Sequence, residues 1–288
     1  MQGKVVVITG SNTGIGEATA EALATMGATT VMACRNLQKA EAAATAVRAA
    51  SGSDDVHVVS LDLADLSSVE TCASEVLSRW DHLDVLVNNA GGIWSDRQVT
   101  AQGFEQTLGV NHIGPFFLTA LLLDRLKGAD AGRIVNLSSV GHHGAFTGMN
   151  WNDLQGEKRY STFGAYSQSK LANLLFTCGL AKRLADTRVT ANAVHPGPVR
   201  SGFGMDGDMT GIVGLGNRLI RPFEISATAG AATSVYLASS PEVQGKSGGY
   251  YVRSRPGHPS KQGRSDAAAD RLWEVTENMI TESGFTLR

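Results

Sequence analysis

Short runs of Val, Ile and Leu alternate with Ala-rich stretches of helical spacing along the whole chain. The apolar runs 4–8, 29–33, 56–60, 84–88, 132–137, 188–195 and 249–252 read as strands. Helices are predicted between them over 14–26, 37–50, 66–80, 101–127, 163–185 and 227–238, with a last one over 267–280. Strands that are continuously apolar, not alternating, belong to a parallel sheet covered on both faces. Right-handed crossovers make such a sheet doubly wound, with ligands at the carboxyl ends of the strands. The expected fold is therefore α/β, a doubly wound (Rossmann) parallel sheet of about seven strands. No linker or repeat interrupts the series, so residues 1–288 read as one domain.

Composition narrows the classes. At 288 residues, 42% apolar and 18% charged, the chain can bury a substantial core. A net charge of −2 carries no electrostatic footprint for nucleic acid. The richest apolar tract, 115–123, holds Thr119 and stops at Asp124, too short for a membrane span. Residues 5–8 are too few for a secretory leader, so neither a leader nor a membrane anchor is expected. Cys34, Cys72 and Cys178 are scattered and odd in number, which suits a reduced, cytoplasmic location. Neither they nor the histidines, His142-His143 included, show a metal-binding spacing, and no metal is expected.

Chemistry enters first at Gly10-Ser11-Asn12-Thr13-Gly14-Ile15-Gly16, between the first strand and the first helix. Gly10 permits a tight turn, Gly14 a close approach to a pyrophosphate, and Gly16 close packing of helix on strand. The second strand ends in Cys34-Arg35-Asn36, with no Asp or Glu between Glu21 and Glu41. A NAD site places a carboxylate here for the ribose hydroxyls; the Arg35 guanidinium instead suits a 2′-phosphate, although an Arg merely exposed after a strand is the plain alternative. Asp62-Leu63 follows the third strand, and Asn89-Ala90-Gly91 the fourth, where small residues let backbone pass close to a cofactor.

Tyr166 and Lys170 stand four apart in a predicted buried helix and so share a face. A free phenol has a pKa near 10, too high for easy proton exchange at neutral pH, and a nearby ammonium would lower it. Alone, such a pair is more often a core Tyr beside a Lys with a buried stem. Ser139 ends the fifth strand, where a serine commonly caps a turn. Asn111 lies in an apolar helix, where a polar side chain commonly satisfies local backbone. Pro196, Gly197 and Val199 follow the sixth strand. The glycine-rich stretch 200–222 reads as a mobile lid with an apolar underside or as a loop shielding the core. The basic tail 253–264 reads as a solvated loop, with an oligomer contact as its alternative.

Taken in order, Gly10/Gly14/Gly16, Asp62, Asn89-Ala90-Gly91, Asn111, Ser139, Tyr166/Lys170 and Pro196-Gly197 resemble the short-chain dehydrogenase/reductase family over nearly the whole chain. Ala33-Cys34-Arg35, Asn111-His112-Ile113-Gly114, 154–158, 166–176 and Arg271-Leu272-Trp273 are similar to its retinol dehydrogenase-like branch, which includes the WW-domain oxidoreductases. The resemblance implies hydride transfer between NADP(H), preferred over NAD(H), and an apolar aldehyde, ketone or secondary alcohol. It implies that Tyr166 exchanges the proton, Ser139 holds the substrate oxygen, Lys170 binds the nicotinamide ribose and lowers the Tyr166 pKa, and Asn111 holds a relay water. The implied cofactor contacts run over Gly10 to Gly16, Arg35, Asn36, Asp62, Leu63, Asn89, Ala90, Gly91, Tyr166, Lys170, Pro196, Gly197 and Val199. Pairing through the long helices, as homodimer or homotetramer, is the family's habit. The rival reading is a non-catalytic NADP(H)-sensing protein that engages a protein partner.

Overall fold

The first strand, β1 (Val5–Thr9), is buried at all five positions. Side chains alternate across a sheet, so Val5 and Val7 face one core cluster while Val6 and Ile8 face another. This double burial is what a run without polar alternation dictates. The computed structural model describes residues 1–198 and 225–287. Within them β1 is joined by β2 (Thr29–Cys34), β3 (Val56–Ser60), β4 (Val85–Asn88), β5 (Arg133–Leu137), β6 (Thr190–His195), β7 (Tyr250–Val252) and β8 (Arg255–Pro256). The order is β3-β2-β1-β4-β5-β6-β7-β8, parallel except for the last pair. The added strand is the return arm of a hairpin whose two central residues, Arg253 and Ser254, both take positive φ. Asn and Gly usually mark that turn; Arg-Ser does not, and the hairpin is silent in the sequence.

One face of the sheet carries α3 (Leu66–Arg79), α5 (Gly114–Lys127) and α6 (Thr162–Arg183). The other carries α1 (Gly14–Thr25), α2 (Leu37–Ser51) and the helix Ala227–Ser239. The closing helix, Asp266–Glu282, packs on α6, and Trp273 meets Phe116 of α5 and Phe176 of α6 at ring-centre distances of 4.7 and 5.9 Å. Part of the α5–α6 surface expected to pair between copies is thus covered by the same chain. No helix among the described residues is long and apolar enough to cross a membrane. The expected lid, 200–222, lies outside the described residues.

The helix expected from residue 101 starts later. Gly103 takes φ +82°, and the Glu105 carboxylate accepts N–H bonds from Thr107 and Leu108 at 2.8 Å each, starting α4 (Gln106–Leu108). A π turn, Gly109–Ile113, then leads into α5. Pro115 has no N–H to give the carbonyl of Asn111 four residues back, so regular α geometry cannot pass through this point. The sequence holds the Pro; the widened turn is its tertiary result.

Candidate active site

Strand order reverses between β1 and β4, which leaves a crevice at their carboxyl ends. The glycine turn enters it from β1. Gly10 and Gly14 have φ +63° and +60°, values that favour glycine. A methyl on Gly16 would stand 2.4 Å from the Gly10 carbonyl oxygen and 2.5 Å from Asn89 Nδ2. Asn89 Nδ2 donates to the carbonyls of Thr9 and Gly10 at 2.8 and 3.1 Å, while Thr9 Oγ1 accepts the N–H groups of Asn89 and Ala90. Asn89 and Ala90 therefore brace the turn. Ser11 is buried and its hydroxyl donates to the Ile8 carbonyl, so its side chain is committed to the turn.

The helix starts differ in a telling way. Asn36, Asp65, Ser161, Ser226 and Ser265 each cap their helix by accepting a backbone N–H. Thr13, at the start of α1, makes no side-chain cap bond. The first-turn N–H groups of Gly14, Ile15 and Gly16 thus keep their capacity for an anion. This uncapped helix end, with the methyl-free cradle of Gly10, Gly14 and Gly16, fits the pyrophosphate of a dinucleotide, and Asn12 and Thr13 lie within the loop.

At the end of β2, Cys34 is buried with Sγ 3.6 Å from Ser11 Oγ, and burial pushes its thiol pKa up. Arg35 and Asn36 are exposed beside it. The Asn36 side chain is committed to capping α2, accepting Lys39 N–H at 2.9 Å. Asp62 Oδ1 accepts the N–H of Ala64 at 2.9 Å, and buried Leu63 packs under Gly114. Gly197 follows Pro196 with φ +92° against Ile225. Val199 lies outside the described residues.

Lys170, Asn111, Ser139 and Tyr166 converge next to this cradle. Lys170 is 4% exposed, and a methyl placed on Gly91 would lie 3.3 Å from its Nζ and 3.0 Å from Asn111 Oδ1. Asn111 Oδ1 accepts Gly92 N–H at 2.7 Å, and its Nδ2 donates to Gly92 O and Ser169 Oγ at 2.9 and 3.0 Å. The side chain thus ties the π turn to the Gly91-Gly92 backbone and to α6. Ser138 Oγ donates to the Lys170 carbonyl at 2.8 Å, deep in the core. Ser139 instead faces Tyr166, whose phenol it hydrogen-bonds. A methyl on Gly141 would meet Tyr166 Cε1 at 2.9 Å and Ser139 Oγ at 3.4 Å, so the glycine leaves room for both side chains. Asn111, Ser139, Tyr166 and Lys170 are therefore brought together as expected from their order in the chain.

One electrostatic expectation needs correction. Burial raises the Tyr166 pKa, and the Ser139 hydrogen bond works against that rise. Lys170 Nζ lies over the Tyr166 ring, 5.5 Å from its centre, and desolvation lowers the lysine to about 8. The net shift of the phenol is therefore upward, because burial outweighs what lowers it, and the expected net lowering is not found.

Several supporting residues escaped sequence reasoning. Thr9, Ser138 and Ser169 act through single hydroxyls, which leave no pattern. Asn173 shares a helix face with Lys170, three residues on, and its Nδ2 donates to the Leu137 carbonyl at 2.8 Å, the same oxygen that Lys170 Nζ reaches at 3.4 Å. A polar residue one turn past a buried lysine was the available signal. The basic residues of the tail 253–264 are exposed, as expected of a solvated loop, while Ser260 and Gln262 dock its second half on the site's turn.

The sequence profile of the family described as short chain dehydrogenase matches residues 4–208. Retinol dehydrogenase 12 of Homo sapiens is 45% identical over 280 residues, spanning 97% of this chain and 87% of that protein. Retinol dehydrogenase 11 of Mus musculus is 42% identical over 97% of this chain and 87% of its own length. A crystallised protein from Mycobacterium paratuberculosis matches with a TM-score of 0.78 and 35% identity over 100% of this chain and 96% of its own. With these relatives and this crevice, the chain belongs to the short-chain dehydrogenase/reductase family of oxidoreductases, in its retinol dehydrogenase-like branch.

Proposed function

We propose that this protein is an NADP(H)-dependent oxidoreductase for an apolar aldehyde, ketone or alcohol. The observation that carries the proposal is the meeting of Ser139, Tyr166, Lys170 and Asn111 beside an uncapped glycine cradle. The relatives' name, retinol dehydrogenase, supports an extended apolar substrate of the retinoid, steroid or xenobiotic kind. Arg35, exposed where a carboxylate is missing, supports the 2′-phosphate form of the cofactor.

In this reading Gly10 to Gly16 and the start of α1 hold the pyrophosphate, Arg35 the 2′-phosphate, and Asn89 to Gly91 and Lys170 the nicotinamide end. The bound nicotinamide supplies or accepts the hydride. Tyr166, kept protonated by burial, donates its proton to the developing alkoxide of a carbonyl substrate. Ser139 donates a hydrogen bond to that same oxygen and orients it toward the phenol. Lys170 places a cation one helical turn from the phenol, favouring the tyrosinate left after transfer. Asn111 holds the backbone around Lys170 in register. In alcohol oxidation the proton runs the other way, onto Tyr166. The cytoplasm, with free small molecules as the partners, is the proposed setting.

Replacing Tyr166 by Phe abolishes NADPH-linked turnover on a carbonyl panel and leaves NADPH binding within about twofold, since only the proton donor is removed. Undiminished turnover in that variant would sink the assignment. Tight NADPH binding by the wild-type protein with no turnover on any carbonyl or alcohol would favour the sensor reading instead.

A further inference from the structure

Ser139 is gripped from outside the residues assigned to chemistry. His142 is fully buried one turn after it, in the 3-10 helix Val140–Gly144. Its Nε2 lies 3.0 Å from the backbone N–H of Ser260, and its Nδ1 lies 2.5 Å from the carbonyl oxygen of Ser139. A backbone N–H only donates, so Nε2 must carry the lone pair. The ring's one proton then sits on Nδ1 and is donated to Ser139. The His142 backbone N–H reaches the same carbonyl at 3.1 Å. Two donors from one residue thus fix the Ser139 peptide, and the tail fixes which tautomer the residue adopts.

The surroundings favour a neutral ring. Tyr250 stands edge-on at 5.4 Å and His143 at 4.1 Å between ring centres, and burial lowers the His142 pKa. His195, from β6, holds the next link: its Nδ1 accepts Val140 N–H at 3.4 Å. The segment 260–263 is itself seated firmly. Gln262 Nε2 donates to the Phe146 carbonyl, and Gly263 packs so closely on Leu174 of α6 that an added methyl would lie at 2.8 Å. These tail residues lie beyond the 4–208 span that matches the family profile.

We infer that His142 is a positioning residue for Ser139, locked in its Nδ1–H tautomer by the backbone N–H of Ser260. The inference rests on the proposed role of Ser139 in turnover. It assigns His142 no contact with substrate; the imidazole acts only by holding the Ser139 peptide where the hydroxyl meets Tyr166.

Asn and Gln separate the two ends of the ring. In H142N the carboxamide sits near Nδ1 and still donates to Ser139; in H142Q it sits near Nε2 and reaches Ser260 alone. Expected in the full-length protein is a loss of kcat of about tenfold or more in H142Q with KM and NADPH affinity within about twofold. H142N restores kcat to within about threefold of wild type. Equal kcat in H142N and H142Q, or a change confined to KM, overturns the inference. Histidine side-chain nitrogen NMR of the free protein gives a readout independent of turnover: an Nδ1–H signal for His142 is expected in the wild type and unchanged in S260A, which keeps the backbone N–H, and an Nε2–H tautomer overturns the inference. S139A is the separate control, because unchanged turnover there defeats the proposed function while leaving the tautomer result standing.

Discussion

Lys170 Nζ lies over the ring of Tyr166, 5.5 Å from its centre, with the lysine only 4% exposed. Desolvation brings the ammonium down to about 8 from an ordinary value of 10.5, while burial moves the phenol up. Each shift favours the neutral form of its group, because both are taken out of water.

The lysine shift has a measurable effect on stability. Its folded pKa lies below its unfolded one, so between about pH 8 and 10.5 the unfolded chain binds the extra proton. Stability from this group is therefore fully present above the unfolded value and is lost as pH falls through about 8. Wild-type stability should rise relative to Lys170→Met across that window, by up to about 3 kcal/mol. Urea unfolding of both proteins at pH 8 and pH 10 checks it; a constant difference would show that the ammonium is well solvated.

Gly16→Ala tests the cradle. Its methyl meets backbone, the Gly10 carbonyl at 2.4 Å, and a side chain already committed to that turn, Asn89 at 2.5 Å. Backbone here cannot yield without opening the anion site. NADPH affinity, read by fluorescence titration, should fall by about tenfold or more, equivalent to at least ~1.4 kcal/mol. Unchanged affinity would place the phosphates elsewhere.

Arg35→Asp tests cofactor choice. The substitution removes a cation from the end of β2 and restores a carboxylate where Cys34-Arg35 now stands. Binding of NADP(H) should weaken by about tenfold or more, while NAD(H) binding holds or improves, because only the former carries a 2′-phosphate. Calorimetry with both cofactors decides; equal losses would mean that Arg35 does not contact that phosphate.

Trp273→Ala tests the closing helix. The indole packs between Phe116 and Phe176, carries the Arg183 guanidinium 4.0 Å from its ring centre, and donates Nε1–H to Glu277 at 2.7 Å. Truncation of this half-buried indole should cost about 2 kcal/mol in chemical unfolding, below the range for fully buried aromatic side chains. The same helix occupies part of the α5–α6 surface, so light scattering should show association through that surface in a chain cut after residue 264 and less of it in the full chain. A variant as stable as wild type would mean that the helix is only loosely applied.

The run of apolar strands and Ala-rich helices determined the doubly wound sheet, because buried strands and two-faced coverage require that pattern wherever it occurs. Fixed spacings did the same for the glycine turn and for Tyr166 over Lys170, since backbone geometry alone puts those residues together. Tertiary structure decided what depends on contacts between distant segments. It gave the Ser138 hydroxyl to the Lys170 carbonyl and left Ser139, which the sequence had already singled out, beside Tyr166; it committed Asn36 to a helix cap and widened the helix at Asn111. It also set the direction of the Tyr166 shift, since desolvation comes from everything packed around a group and from no neighbour in sequence. The docking of 260–263 on His142 is of the same kind: a single N–H from 118 residues away settles which imidazole nitrogen holds the proton.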